Sequence, residues 1–228
     1  MDNYRRYAIY AAPGGKLWDW ASRWLGWDAA RGEGVPHPAV HGLPRPVAEI
    51  TETPRKYGFH ATVKPPFRLA GGATAQDLDW AAGALCMRMA PVQSAGLRLA
   101  RIGGFVALVP DGDDSAINAM AAQVVEALDA FRAPPDAAEI ARRRPDSLTD
   151  RQRGYLGRWG YPYVMDEFRL HLTLSGNLEA GEAAQVEGVL APLLAPLLPR
   201  PFTIDSLCLF GEAADGRFHL LHRYALSG

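Results

Sequence analysis

Two heptapeptides of this 228-residue chain match position for position: Gly58-Phe-His-Ala-Thr-Val-Lys64 and Arg169-Leu-His-Leu-Thr-Leu-Ser175. Both alternate apolar and polar side chains with the two-residue period of a β-strand. In the first copy Phe59, Ala61 and Val63 share one face, and His60, Thr62 and Lys64 share the other. In the second, Leu170, Leu172 and Leu174 oppose Arg169, His171, Thr173 and Ser175. The stretches downstream of the two motifs are also alike: Leu97 comes 37 residues after His60 and Leu207 comes 36 after His171, while Phe105 and Phe218 come 45 and 47 after their respective histidines. Two β-α-β-β units of nearly equal size predict an internal duplication. The expected architecture is a single bilobal α+β domain over residues 1–228, with motif lobes at about 54–110 and 165–226.

The remaining pattern fills in around the repeat. Residues 4–12 read as a strand and 16–27 as a Trp-rich amphipathic helix in which Trp18, Trp20, Trp24 and Trp27 are packing residues. Residues 28–53, with four prolines, His37 and His41, read as a long irregular excursion. Strands are expected over 57–69, 94–101, 105–110, 167–175, 202–210 and 217–225, and helices over 73–89, 114–131 and 180–190. Pro192 is expected to end the last of these helices. Thr149-x-x-Gln152 has the form of a capping box opening a further helix to about residue 159.

Composition excludes several function classes. At 48% hydrophobic and 21% charged residues the chain can bury a sizeable core. Its 18 Pro and 23 Gly imply extensive loops. The 24 basic and 25 acidic residues leave a formal charge of -1, so no global field draws in nucleic acid or an anionic membrane, and an anion site must be local. Cys86 and Cys208 read as reduced thiols. The start Met1-Asp-Asn-Tyr-Arg-Arg has no apolar leader, and Pro192 and Pro196 interrupt the longest apolar tract, so a soluble, cytoplasmic protein without membrane association is expected. Nothing in the sequence bears on oligomeric state.

A lone histidine on a half-solvated strand is most often a packing residue; the same His-x-Thr at matched positions of a repeat asks for a functional reason. If the lobes are related by a two-fold axis, two imidazoles oppose each other across a cleft, each with a Thr hydroxyl roughly 6.7 Å along its strand. That arrangement suits in-line displacement at phosphorus. One imidazole accepts a proton from attacking water, the other donates one to the leaving oxygen, and the hydroxyls hold the non-bridging oxygens. Lys64 and Arg169 are expected to balance the phosphate charge, and Tyr10, Tyr57 and Tyr163 to line the substrate. Neither motif supplies the three ligands that catalytic zinc usually takes, so no metal or other cofactor is expected. His219 and His222 are assigned structural or surface roles. The segment 142–169, with seven Arg and four acidic residues, either gates an anionic substrate or is a solvated helix and its flanks.

The motifs His60-Ala-Thr62-Val and His171-Leu-Thr173-Leu resemble the paired His-x-Thr-x signature of the two-histidine (2H) phosphoesterases, which include cyclic phosphodiesterases acting on nucleotides and RNA ends. The surrounding strings, Pro54 through Phe67 and Arg158 through Thr173, resemble the branch associated with bacterial phosphonate breakdown by carbon-phosphorus lyase. The resemblance implies two antiparallel sheets around a central cleft in a LigT-like fold. It also implies metal-independent opening of a phosphodiester, with acid-base roles for His60 and His171 and phosphate binding by Thr62 and Thr173. For the branch it implies a small cyclic phosphate such as 5-phosphoribosyl 1,2-cyclic phosphate. RNA, through 2',3'-cyclic ends or end joining, is the less favoured partner, and a phosphorylated-ligand binding protein without turnover is the alternative to an enzyme.

Overall fold

The computed structural model describes residues 4–228; Met1 to Asn3, where the expected leaderless start begins, lie outside them. In chain order the elements are β1 (Tyr7–Ala11), α1 (Gly15–Leu25), β2 (Trp27–Asp28), β3 (Glu33–Gly34), α2 (Val47–Ile50), α3 (Glu52–Arg55), β4 (Ala61–Phe67) and α4 (Ala75–Cys86). There follow β5 (Val92–Ser94), β6 (Gly96–Ile102), β7 (Phe105–Asp111), α5 (Ser115–Ala127), α6 (Ala137–Ala141), α7 (Asp150–Trp159) and β8 (Leu172–Thr173). The chain ends with α8 (Ala180–Leu194), β9 (Phe202–Ile204), β10 (Ser206–Glu212) and β11 (Phe218–Ala225).

Among the described residues, seven strands join in the order β11-β10-β1-β4-β8-β7-β6, with all neighbours antiparallel. The join in the middle is narrow, a single Ala61↔Leu172 pair between β4 and β8. Two half-sheets therefore meet at the two motif strands. Their membership corrects the expectation of lobes built from contiguous halves. The first motif strand, β4, shares its half-sheet with the hairpin β10-β11 from the end of the chain, and the second motif strand, β8, shares its own with β6-β7 from the first unit. The two units have exchanged hairpins. The exchange occurs where β5 and β9, which follow α4 and α8, pair with each other through Val92↔Ile204, Gln93↔Thr203 and Ser94↔Phe202. Meanwhile α4 stays with β10 and β11, and α8 with β6 and β7.

Helices cover the apolar side of the sheet. Phe59, Ala61, Val63, Leu170, Leu172 and Leu174 are all buried there, as their alternation predicts. The Trp-rich α1 ties down the second motif, where Trp24 is fully buried and its indole N–H donates to the Leu174 carbonyl at 2.7 Å, and just after the helix the Trp27 N–H of β2 donates to the Phe218 carbonyl at the start of β11 at 2.9 Å. His37 bonds the Trp24 carbonyl at 2.9 Å and His219 packs edge-on against Trp27, so both serve packing. Cys86 and Cys208 are buried and free, and burial raises their thiols to about 11 and about 12. Among the described residues no helix is long and apolar enough to cross a membrane.

Three further expectations are corrected. Pro192 does not end α8 but lies inside it; Gly188, four residues earlier, faces open space, and burial of Leu190 and Leu194 on either side of the proline holds the last turn in place. The strand expected over 167–175 is paired only at Leu172–Thr173. There the backbone bends so that the amides of Leu174 and Ser175 both donate to the Val106 carbonyl, and the buried Ser175 hydroxyl accepts from the Val106 amide at 2.9 Å. The excursion 28–53 also contains more order than expected, namely the β2-β3 hairpin and α2.

Candidate active site

The single β4/β8 pair determines the site. Extending the antiparallel register by one residue from Ala61↔Leu172 sets His60 across from Thr173 and Thr62 across from His171, all four on one face. The histidines are therefore diagonal neighbours, at about the 7–8 Å backbone spacing of such pairs, and each is flanked by the hydroxyl of the other copy. The cleft read from the sequence takes the form of a seam within one continuous sheet.

Each imidazole is oriented by its own strand. His60 Nδ1 lies 2.9 Å from the Gly58 carbonyl, and His171 Nδ1 lies 2.8 Å from the Arg169 carbonyl. A carbonyl can only accept, so both Nδ1 atoms carry the hydrogen, and in the neutral ring both Nε2 atoms present a lone pair. The Thr62 hydroxyl lies 3.2 Å from His60 Nε2, placed to donate to it. The turn that delivers His60 needs Gly58, whose φ is +73°; a Cβ there would stand 2.8 Å from the Ala29 side chain.

The surroundings of the two histidines differ. Tyr10, paired with Thr62 across β1/β4, stacks its ring on His60 at 3.8 Å; Tyr57 lies 5.9 Å away and Phe210 6.3 Å away. Phe218 backs Tyr57 at 5.1 Å. Burial in this aromatic box pushes the His60 pKa down to about 4; the Gly58 carbonyl opposes the shift, and the neighbouring His171 adds to it. Among the described residues His171 has one aromatic neighbour, Phe105, at 5.6 Å. At neutral pH the His60 ring is thus uncharged.

The other expected site residues separate into groups. Tyr10 is completely buried beneath His60, with its hydroxyl free of any hydrogen bond among the described residues, and burial holds that hydroxyl well above the ordinary tyrosine range. Tyr57 stands beside His60 and carries the Lys56 ammonium 4.8 Å from its ring centre. Tyr163 is 47% exposed and lies against Tyr161. Arg169 is exposed and turns its guanidinium back onto the carbonyls of Asp166 and Phe168; its main chain, through His171, is what touches the motif.

Lys64 is the clear correction. Opposite Lys64 and Thr62 the partner strand advances only from Ile9 to Tyr10, so a bulge at Val63 breaks the alternation and turns the lysine away from the His60 face. Its ammonium is buried behind the sheet against the Val125 carbonyl and Asp129, and burial lowers its pKa to about 8. Four neighbours of these side chains are not among the site residues read from the sequence: Arg6, whose guanidinium lies 5.9 Å from the Phe218 ring centre, Tyr161 beside Tyr163, Phe210 beside His60, and Phe218 behind Tyr57. Arg6 shares alternation parity with Tyr10, a usable signal, whereas the two phenylalanines reach the site only through the exchanged hairpin. Among the described residues no group of three or more His, Cys, Asp or Glu is arranged to hold a metal ion.

Residues 62–219 match the family described as Protein of unknown function (DUF1045). Two curated relatives carry the name Ribose 1,5-bisphosphate phosphokinase PhnN. The one from Janthinobacterium sp. (strain Marseille) is 33% identical over 94% of this chain and 49% of its own length, and the one from Laribacter hongkongensis (strain HLHK9) is 34% identical over 92% and 49%. The chain thus spans about half the length of the curated relatives it matches. Similar crystal structures include E. coli LigT complexed with ATP (TM-score 0.46, 11% identity, 99% of each chain) and TT0787 of Thermus thermophilus (TM-score 0.47, 13% identity, 98% of each chain).

Proposed function

The chain belongs to the DUF1045 family, and we propose that within it this protein is a metal-independent phosphodiesterase that opens a small cyclic phosphate by two-histidine acid-base catalysis. The observation that carries the reading is the matched pair of imidazoles, each with Nδ1–H fixed by the carbonyl two residues earlier, so that Nε2 presents its lone pair for proton transfer, in His60 next to the Thr62 hydroxyl. His60, kept neutral by its aromatic box, is the base. Its Nε2 takes a proton from water as the water oxygen bonds to phosphorus. The bond from phosphorus to the leaving ring oxygen breaks, and protonated His171 delivers the Nε2 proton to that oxygen. The products are a phosphate monoester and a free hydroxyl, and solvent resets the two rings. Thr62 and Thr173 hydrogen-bond the non-bridging oxygens, where charge builds up in the transition state. The anionic phosphate also raises the His60 pKa on binding, bringing a weak base closer to neutral pH.

For the substrate, we take 5-phosphoribosyl 1,2-cyclic phosphate as the leading candidate. Opening its ring at O2 leaves phosphate on O1, giving ribose 1,5-bisphosphate, the compound in the name of the curated relatives. The test is phosphorus NMR in EDTA with this compound and with a 2',3'-cyclic nucleotide, using wild type, His60→Gln and His171→Gln. Loss of turnover by at least 10²-fold in both variants is expected for paired general acid-base groups. Wild-type rates in either variant would overturn the mechanism. Faster opening of the nucleotide would move the substrate to RNA ends, and binding without turnover would make the protein a ligand-binding module.

A further inference from the structure

On the far side of Tyr57 from His60 lies a cavity of about 250 Å³ whose wall contains six cationic side chains, Arg6, Lys56, Arg68, Arg132, Arg142 and Arg143, and one carboxylate, Glu139. The chain as a whole carries -1, so this concentration of positive charge is local and does not follow from composition. Three of the six are neutralised and held rigid: Arg6 by a two-point pair with Glu212, Arg68 by Glu139 at 3.0 Å, and Arg132 by Asp129 at 2.8 Å. The other three, Lys56, Arg142 and Arg143, pair with no carboxylate among the described residues. Lys56 rests over Tyr57 and Arg143 lies 4.6 Å from the Tyr161 ring centre, contacts that position a cation without cancelling its charge. Arg142 shares the field of Glu139, which Arg68 already occupies, so the wall keeps an excess of positive charge whose mutual repulsion an anion would relieve. Its volume falls below the roughly 300–1,000 Å³ of pockets that enclose a whole small molecule, so it suits a fragment.

Tyr57 connects the cavity to the proposed chemistry, lining the cavity with its ring 5.9 Å from that of His60. The buried, unbonded Tyr10 hydroxyl, beneath His60, lies within electrostatic reach of Arg6 and Tyr57, two of the residues that line the cavity. We propose that the cavity binds a second, non-reacting phosphate monoester of the molecule whose cyclic diester lies between His60 and His171. The substrate class is then a small cyclic phosphodiester that carries a separate phosphate group. This inference rests on the functional reading above and gives the start of the Arg-rich segment 142–169 a role, because Arg142 and Arg143 close the cavity.

The experiment compares kcat/KM for 5-phosphoribosyl 1,2-cyclic phosphate and for ribose 1,2-cyclic phosphate, which lacks the second phosphate, in wild type, Lys56→Ala and the double variant Arg142→Ala/Arg143→Ala. Two charge-assisted hydrogen bonds support a wild-type preference of about 10²-fold or more for the phosphorylated compound. Binding energy taken from a remote group appears in kcat as well as KM. In the double variant the preference should fall below tenfold, and in Lys56→Ala it should fall part of the way. Equal use of the two compounds by wild type, or an unchanged preference in the double variant, would overturn the cavity assignment while leaving the two-histidine reading intact. If wild type opened neither compound, the substrate assigned above would fall and this proposal with it.

Discussion

The aromatic box around His60 makes stability depend on pH in a calculable way. An unfolded chain binds a proton on this imidazole near 6.5, but the native chain does so only near about 4. Between those values the unfolded state holds more protons, so native stability falls as pH falls from 6.5 towards 4 and is unaffected above 6.5. At 1.36 kcal/mol per pH unit, the loss reaches about 2.5 kcal/mol at pH 4.5. His60→Gln removes the titrating group and should remove this loss. Asp129, Glu139 and Asp166, whose pKa values are held below the ordinary carboxylate range, contribute stability that is lost only at lower pH, and both proteins share it. Urea unfolding of wild type and variant at pH 7.5 and 4.5 isolates the His60 contribution as the difference between the two pH responses. Parallel loss in the two proteins, or an NMR titration of the His60 ring near its ordinary value, would show that the box does not desolvate the imidazole and would remove the reason for making His60 the base.

Replacing Lys64 by Met should change stability by less than about 1 kcal/mol and leave turnover in place, because Asp129 keeps Arg132 and a buried ion pair adds little over apolar packing; a tenfold loss of turnover would return Lys64 to the site. Thr149→Ala removes the hydroxyl that accepts from the Gln152 amide at the start of α7 and should cost about 1 kcal/mol in urea unfolding. Ser175→Ala leaves the buried Val106 amide without its side-chain acceptor and should cost about 1–3 kcal/mol, with faster hydrogen exchange at that amide. Unchanged exchange there would mean that the bend after β8 is held by other bonds.

The site was legible in the sequence to the extent that it depends on local periodicity. Alternation alone placed Leu170, Leu172 and Leu174 inside and His171 with Thr173 outside, and the Thr149 box opened α7 where it was expected. The repeat count brought the two motifs into correspondence. Features that need two strands at once were hidden. The bulge that turns Lys64 away exists only in the register of β4 against β1, and Phe210 approaches His60, and Phe218 backs Tyr57, only because β10 pairs with β1 and β11 with β10. The tethering of Trp24 to Leu174 likewise spans 150 residues of chain. Arg6 was the avoidable omission, being two alternations before Tyr10 on the same strand approach.

The hairpin exchange through β5 and β9 has a consequence for how such a molecule can be divided or assembled. A cut between the two repeats leaves each piece with a motif strand and its helix, but with a hairpin whose sheet position belongs to the other piece. Neither fragment can satisfy its own strand edges; each needs the other, or a second copy of itself, to supply the missing ladder. A half-length chain of this design would therefore be stable as a two-fold dimer with two identical histidines at its axis. Joining the halves in one chain frees those histidines from symmetry, so that one can be enclosed by aromatic rings while its twin keeps a different environment.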